Sequence, residues 1–242
     1  YEDPEHFWAV HNGPIGEELL KGAQMAELGM YGLTYYDGGS RCFYSSRGEI
    51  HSPGDLEGLD VRVQQSETAL SMARALGARP VTADYSELYR TLQSKEADAA
   101  ENSIVNYYAQ AFYEVAPYYL DANFNVVPFN AITVNMDTWN DLPEEVRTIL
   151  TEVGEGYLDY EANYINEIHE QDLKELEAKG CTIVTLSREE QEKWAASLPD
   201  IVNGLVKSLD SAGYNGAEIV EKYYQILESH GVERIRDWNI GN

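Results

Sequence analysis

Between Gly58 and Asn102 the chain alternates short apolar runs with longer mixed ones, in an order that predicts β-α-β-α-β. A strand around Val61-Arg62-Val63 leads into a helix capped by Ser66 and ended by Gly77. A second strand follows, then a helix with Ser86 at its cap, then a small-residue strand ending in Glu101-Asn102. Such a run builds a parallel sheet whose strand ends face a cleft. Arg62 stands between two valines. A guanidinium there is costly unless it meets an anion, because a buried charge must be paired. A carboxylate-binding cleft is therefore the first hypothesis.

The flanking pattern extends the α/β reading. Residues 14–29 predict a helix with Pro14 near its start and Gly29 at its end. Two Tyr-rich extended runs flank Asp37-Gly38-Gly39-Ser40, where glycines let the chain turn or cross between lobes. The segment 103–119 predicts a helix and then an extended loop, and 124–135 a strand with Pro128 at an edge or bulge. A long helix is predicted from Pro143 to Lys179, with Gly154 and Gly156 as a weak point or bend. Gly180 ends it, the strand Cys181–Leu186 follows, and Ser187 with Glu190 forms a capping box. The remainder predicts helices broken at Gly213 and Gly216.

Charge narrows the partners. The 242 residues carry 42 acidic against 17 basic side chains, a net charge of −25, which disfavours nucleic acid and anionic lipid. No apolar run approaches a membrane span, and residues 1–14 lack the basic start and apolar stretch of a signal peptide. Cys42 and Cys181 stand far apart, without the spacing of a metal or redox motif. The five histidines, at 6, 11, 51, 169 and 230, are scattered, and no nucleophile elbow or phosphate loop occurs. The reading is of a protein that is not an enzyme and holds no cofactor or metal.

Six segments in order carry a family resemblance: HSPGDLEGLDVRV, the Ala-Leu-Gly-Ala turn before Pro80, the Ser86–Gln93 helix, the Glu101-Asn102 strand end, AFYEV, and the Trp139…Leu142-Pro143 start of the long helix. The chain resembles the DctP-like substrate-binding subunits of tripartite ATP-independent periplasmic (TRAP) transporters. The resemblance implies a two-lobed periplasmic-binding-protein-like α/β fold with a long lobe-spanning helix and a helical C-terminus. Lobe I is assigned to 1–38 and 125–165, lobe II to 39–124 and 166–195, and 196–242 to helices packing on both. Family members carry more of lobe I ahead of the segment that begins here, so the assignment lacks that N-terminal part, a lack that leaves a sheet edge unpaired. The strand end also departs: Ala99-Ala100 stand where the family often has Gly-Gln.

The same resemblance implies that Arg62 makes a two-point salt bridge with the ligand carboxylate, a geometry suited to arginine. Arg41 and Asn102 match a second cleft arginine and a cleft asparagine, and Tyr85 an aromatic wall. Gln65 follows Arg62 at the strand end. Phe129 and Asn130, with Asn123 and Phe124, fall in the segment that tunes ligand choice. Each has a plainer alternative: an ion pair for Arg62, a turn arginine for Arg41, an Asx turn for Asn102, core packing for Tyr85. Glu101 suits bracing the hinge or orienting an arginine. The implied function is periplasmic or cell-surface capture of a small organic acid, passed to membrane permease subunits driven by an ion gradient. A sensing module docked on a signalling receptor is the alternative.

Overall fold

The computed structural model describes residues 14–37, 41–122 and 129–240. The chain divides into two compact units: unit 1 comprises 1–39, 126–168 and 223–232, and unit 2 comprises 40–125, 169–222 and 233–242.

Unit 2 is built on a mixed six-stranded sheet, β4-β3-β5-β2-β6-β8. Its strands are β2 (Arg41–Ser45), β3 (Asp60–Val63), β4 (Arg79–Thr82), β5 (Ala99–Ser103), β6 (Tyr118–Asp121) and β8 (Thr182–Thr185). β4, β3 and β5 run parallel, as the β-α-β-α-β pattern predicts. β2 lies antiparallel between β5 and β6, and β8 closes the far edge parallel to β6. The two-residue period sorts the side chains onto opposite faces. Phe43, Val61, Val63, Ala99 and Leu120 pack on one face with Ala73 of α3 (Glu67–Ala75), Leu76 at its C-cap and Trp194 of α8 (Arg188–Ser197). Cys42, Tyr44, Ala100 and Tyr119 pack on the other. Leu88 and Leu92 of α4 (Leu88–Gln93), Ile104 and Tyr107 of α5 (Ile104–Ala109), and Leu176 of α7 (Glu144–Ala178) cover that face. β5 is buried along its whole length, which suits its small Ala99-Ala100 pair under helices on both sides.

In unit 1, β1 (Met30–Asp37) pairs antiparallel with β7 (Phe129–Asn135). α1 (Pro14–Lys21) is tied to β1 by the Tyr35 hydroxyl, which donates to the Gly16 carbonyl at 2.5 Å. The ring of Trp139 in α6 (Met136–Asp141) stacks 3.8 Å from Tyr31. α7 passes Gly154 without a break. A Cβ at Gly154 would stand 3.0 Å from the Leu33 carbonyl oxygen, so this glycine allows close packing of the helix on β1. Gly180, at φ +88°, ends the long helix as expected.

Three local expectations are corrected. Gly22 divides the first helix, so α2 (Ala23–Glu27) is separate. Ser86 is not a cap: Asp84 precedes a 3-10 turn at Tyr85–Glu87, and α4 starts only at Leu88. Residues 118–121 are strand β6, not loop, because β2 and β8 offer partners that no local pattern reveals. Ser66 and the Ser187–Glu190 capping box stand as read. α9 (Ile201–Ser211) and α10 (Gly216–Ser229) complete the chain, parted near Gly213.

α7 carries a pH-sensitive contact in unit 2. His169 Nε2 lies 3.3 Å from an Asp121 carboxylate oxygen on β6. That hydrogen bond raises the His169 pKa against the opposing pull of burial. Burial pushes the nearby Asp172 up to about 6, with His169 opposing and Glu175 adding to the shift. Both folded pKa values lie above the unfolded ones, so both stabilising contributions are full at low pH and fade as pH rises through the folded values. For Asp172 the loss spans about pH 4 to 6. Asp172→Asn is therefore expected to stabilise the protein at pH 7.5 by about 2 kcal/mol and to gain little at pH 4. Urea midpoints for both proteins across that range check this; a difference independent of pH rejects it.

Candidate functional site

The end of the parallel strands in unit 2 gathers four of the residues singled out from sequence: Arg62, Arg41, Asn102 and Tyr85. Register explains it. Arg62 on β3 pairs with Ala100 on β5, and Ala100 with Tyr44 on β2, so Arg62 and Tyr44 share one cross-strand row and one face. Asn102 lies two residues along β5 on that same face. Tyr85 follows β4, in the turn before α4.

The two arginines differ in what holds them. Arg41 is fully engaged. Its Nε donates to the Glu101 carboxylate, Nη2 to the Glu101 carbonyl at 3.0 Å, and Nη1 to Asn102 Oδ1 at 3.4 Å. With the Gln64 amide oriented to satisfy its neighbours, its oxygen accepts from both Nη atoms at 3.1 and 3.3 Å. Arg62 is 5% exposed, and its Nε and Nη2 both donate to the Ala83 carbonyl, at 3.1 and 2.8 Å. Among the described residues no carboxylate lies within ion-pair distance of it. Its Nη1 edge keeps N–H donors without an acceptor among the described residues. Burial lowers the Arg62 pKa, with Tyr44 and Glu101 opposing and Arg41 adding to the shift; a guanidinium stays charged at neutral pH regardless. Two guanidiniums against one carboxylate leave the site locally positive within an acidic chain.

The surrounding polar groups are ordered. Asn102, 2% exposed, accepts from the Ser103 backbone N–H at 2.9 Å and from Asn106 Nδ2 at 3.3 Å. The helix cap proper is Ser103. Tyr85, 44% exposed, donates to Asn106 Oδ1 at 3.0 Å and sets its ring edge-on to Phe112. Gln65 is exposed just past β3. Asn130 belongs to the β1–β7 ladder of unit 1, opposite Tyr36, and Phe129 begins the same strand. Asn123 and Phe124 lie outside the described residues.

Two site residues escaped the sequence reading. Gln64, two positions beyond Arg62, was signalled by the strand period, which places it rather than Gln65 on the Arg62 face. Tyr44 was not signalled, because its place beside Arg62 depends on pairings across three strands. Its ring is 0% exposed, and its hydroxyl has no hydrogen-bond partner among the described residues. Among the described residues no group of three or more His, Cys, Asp or Glu side chains is placed to hold a metal ion, and no helix formed by them is long and apolar enough to cross a membrane.

Comparison with known proteins gives consistent results. The family model described as DctP, bacterial extracellular solute-binding protein, family 7, matches residues 1–208. The C4-dicarboxylate-binding periplasmic protein DctP of Rhodobacter capsulatus is 30% identical over 202 residues, 83% of this chain and 60% of its own. The C4-dicarboxylate-binding protein DctB of Bacillus subtilis is 27% identical over 78% of this chain and 54% of its own. The chain thus spans little more than half the length of these curated relatives. A TRAP periplasmic solute-binding protein from Bradyrhizobium sp., in complex with galacturonate, superposes with a TM-score of 0.75 at 27% identity, over 95% of this chain and 71% of that one. The sugar acid binding protein DctPAm of Advenella mimigardefordensis, in complex with galactonate, gives 0.78 at 26% identity, over 95% and 71%.

Proposed function

This chain belongs to family 7 of the bacterial extracellular solute-binding proteins, and on that premise we propose that it captures a small organic carboxylate at Arg62 and presents it to the membrane permease subunits of a TRAP transporter. The observation that carries the reading is the state of Arg62. A guanidinium taken out of water, held by one backbone carbonyl and with no carboxylate among the described residues within ion-pair distance, is a charge awaiting an anion. Its Nη1–Nη2 edge offers two parallel donors that match the two oxygens of a carboxylate. Arg41 is held by Glu101, Asn102 and Gln64, and it adds positive potential without being free to follow the ligand. Asn102, itself anchored, keeps that network in register.

The class of acid follows from the relatives. The Rhodobacter capsulatus protein is a C4-dicarboxylate-binding one. The two structural neighbours were solved with galacturonate and galactonate, and each of those acids carries an oxygen on the carbon next to its carboxylate. Ligands of this chain are accordingly sought among short dicarboxylates and sugar acids.

A melting screen against organic acids tests the reading. A ligand that binds only the folded protein, at about a hundred times its Kd, stabilises it by about 2.7 kcal/mol, which raises Tm on the order of 5 °C. A rise with one class of acid and none with matched neutral alcohols or amides is expected. A flat response to every acid would sink the proposal.

A further inference from the structure

Two buried hydroxyls, of Tyr44 and Tyr119, have no hydrogen-bond partner among the described residues. Tyr119 lies beside the Cys42 thiol, whereas Tyr44 lies in the row of Arg62. The Tyr44 hydroxyl is closed to solvent and unpartnered among the described residues, a condition rare enough in folded proteins to require a reason. The ring is fixed on both sides. Tyr107 stands 4.7 Å away, centroid to centroid, and Phe112 stacks on it at 5.8 Å and 11°. The phenol therefore has little freedom to swing toward a partner elsewhere. It sits in the cross-strand row of Arg62, with only the methyl group of Ala100 between them. Two strand spacings separate the two backbones, about 10 Å, which the phenol and the guanidinium span from opposite sides. Its surroundings are those of the charged cluster: Glu101, Arg62, Arg41 and Tyr85 all act on it electrostatically. Burial pushes its pKa well above 10, so it enters any contact as a protonated donor.

A donor in the cross-strand row of a guanidinium suited to a carboxylate matches the part of an acid nearest its carboxyl carbon. We propose that the Tyr44 hydroxyl donates to an oxygen on the carbon adjacent to the ligand carboxylate, so that the site selects 2-hydroxy, 2-oxo and ring-oxygenated acids over acids lacking that oxygen. The inference rests on the carboxylate-binding reading and narrows it. Tyr85, which acts electrostatically on Tyr44, is assigned the part of the side chain that moves. It is the exposed member of the cluster, packs edge-on to Phe112, and is tied by its hydroxyl to Asn106. Its displacement opens the phenol to a ligand that has already met Arg62. A site that pairs a buried hydroxyl rejects the analogue that leaves it unpaired more strongly than it rejects a change of apolar size.

The test is calorimetric titration of the protein and of Tyr44→Phe with matched pairs: malate and succinate, 2-hydroxyglutarate and glutarate, galactonate and 2-deoxygalactonate. The unsubstituted protein is expected to bind the oxygenated member of at least one pair about tenfold more tightly, the worth of one neutral hydrogen bond. In Tyr44→Phe that ratio collapses toward unity, chiefly through loss on the oxygenated acid. Ligand-free Tyr44→Phe, relieved of an unpaired hydroxyl, melts at or above the parent. Acids that bind with a ratio unchanged by the substitution, or a variant that melts well below the parent and weakens both members alike, overturn the role of Tyr44 and leave the solute-binding reading standing. Failure of every acid in every pair overturns that reading itself, and this inference with it.

Discussion

Arg62→Ala is expected to weaken acid binding by about 10²- to 10⁴-fold, the cost of truncating one member of a buried, hydrogen-bonded charge pair. The bound carboxylate would lose both parallel donors and stay in a dry site without a counter-charge. Arg41 cannot take over, since its guanidinium is committed to Glu101, Asn102 and Gln64. Stability should move the other way. A buried cation whose acceptor is one carbonyl is a burden on the ligand-free fold, and apolar residues of similar volume often improve on such groups. Arg62→Met is expected to keep or raise the melting temperature of the ligand-free protein while remaining as deaf to acids as Arg62→Ala. Calorimetric titration and thermal melts of both variants decide the matter. Affinity within threefold of the parent would remove Arg62 from the site. Lost affinity with a collapsed melt would show that the arginine is a structural ion-pair member.

Trp194→Ala is expected to be the most damaging single change in unit 2, at about 3–5 kcal/mol. The indole is fully buried between α8 and the sheet, and its ring lies 6.1 Å from that of Phe43. Its Nε1 donates to the His51 carbonyl at 3.2 Å, joining residues 143 apart in sequence. Truncation opens a cavity in the cluster that holds Phe43, Val63 and Leu120 and removes the donor to the His51 carbonyl. Urea unfolding measures the loss. Trp194→Phe, which keeps most of the volume, should recover more than half of it, whereas a loss below 1 kcal/mol for alanine would mean that α8 is not anchored by this side chain.

Local pattern carried much of this protein into view. The run from Asp60 to Ser103 obeys one period at a time, so its strands and its first helix could be read directly, and an arginine between two valines stood out as chemistry. Glu101 was read as a group that orients an arginine, and it holds Arg41. Caps made by a side chain within three residues, such as Ser66 and Ser187, are local and were legible. Ser86 shows the limit: its sequence suits a cap, yet Asp84 precedes a 3-10 turn that pushes the helix start to Leu88. What pairing decides was hidden. Strand β6 exists because β2 and β8 flank it, and Tyr44 reaches Arg62 only through the register of β2 on β5 and β5 on β3. The saturation of Arg41 and the openness of Arg62 were equally invisible, since two arginines of one type differ only in the acceptors the fold brings to them.

The order of strands in unit 2 also sets a timetable for its birth. β6 finds its outer neighbour β8 roughly 60 residues later, after the whole of the long helix has been made, and closure over such separations is slow. Until then a chain emerging from a ribosome or a translocation pore presents β6 as a bare ribbon edge, apolar and rich in tyrosine, the kind of edge that recruits strands from other molecules. Holding chaperones would therefore matter most while the helix is being threaded, and a nascent chain stalled before Thr182 should aggregate more readily than one released at Leu186.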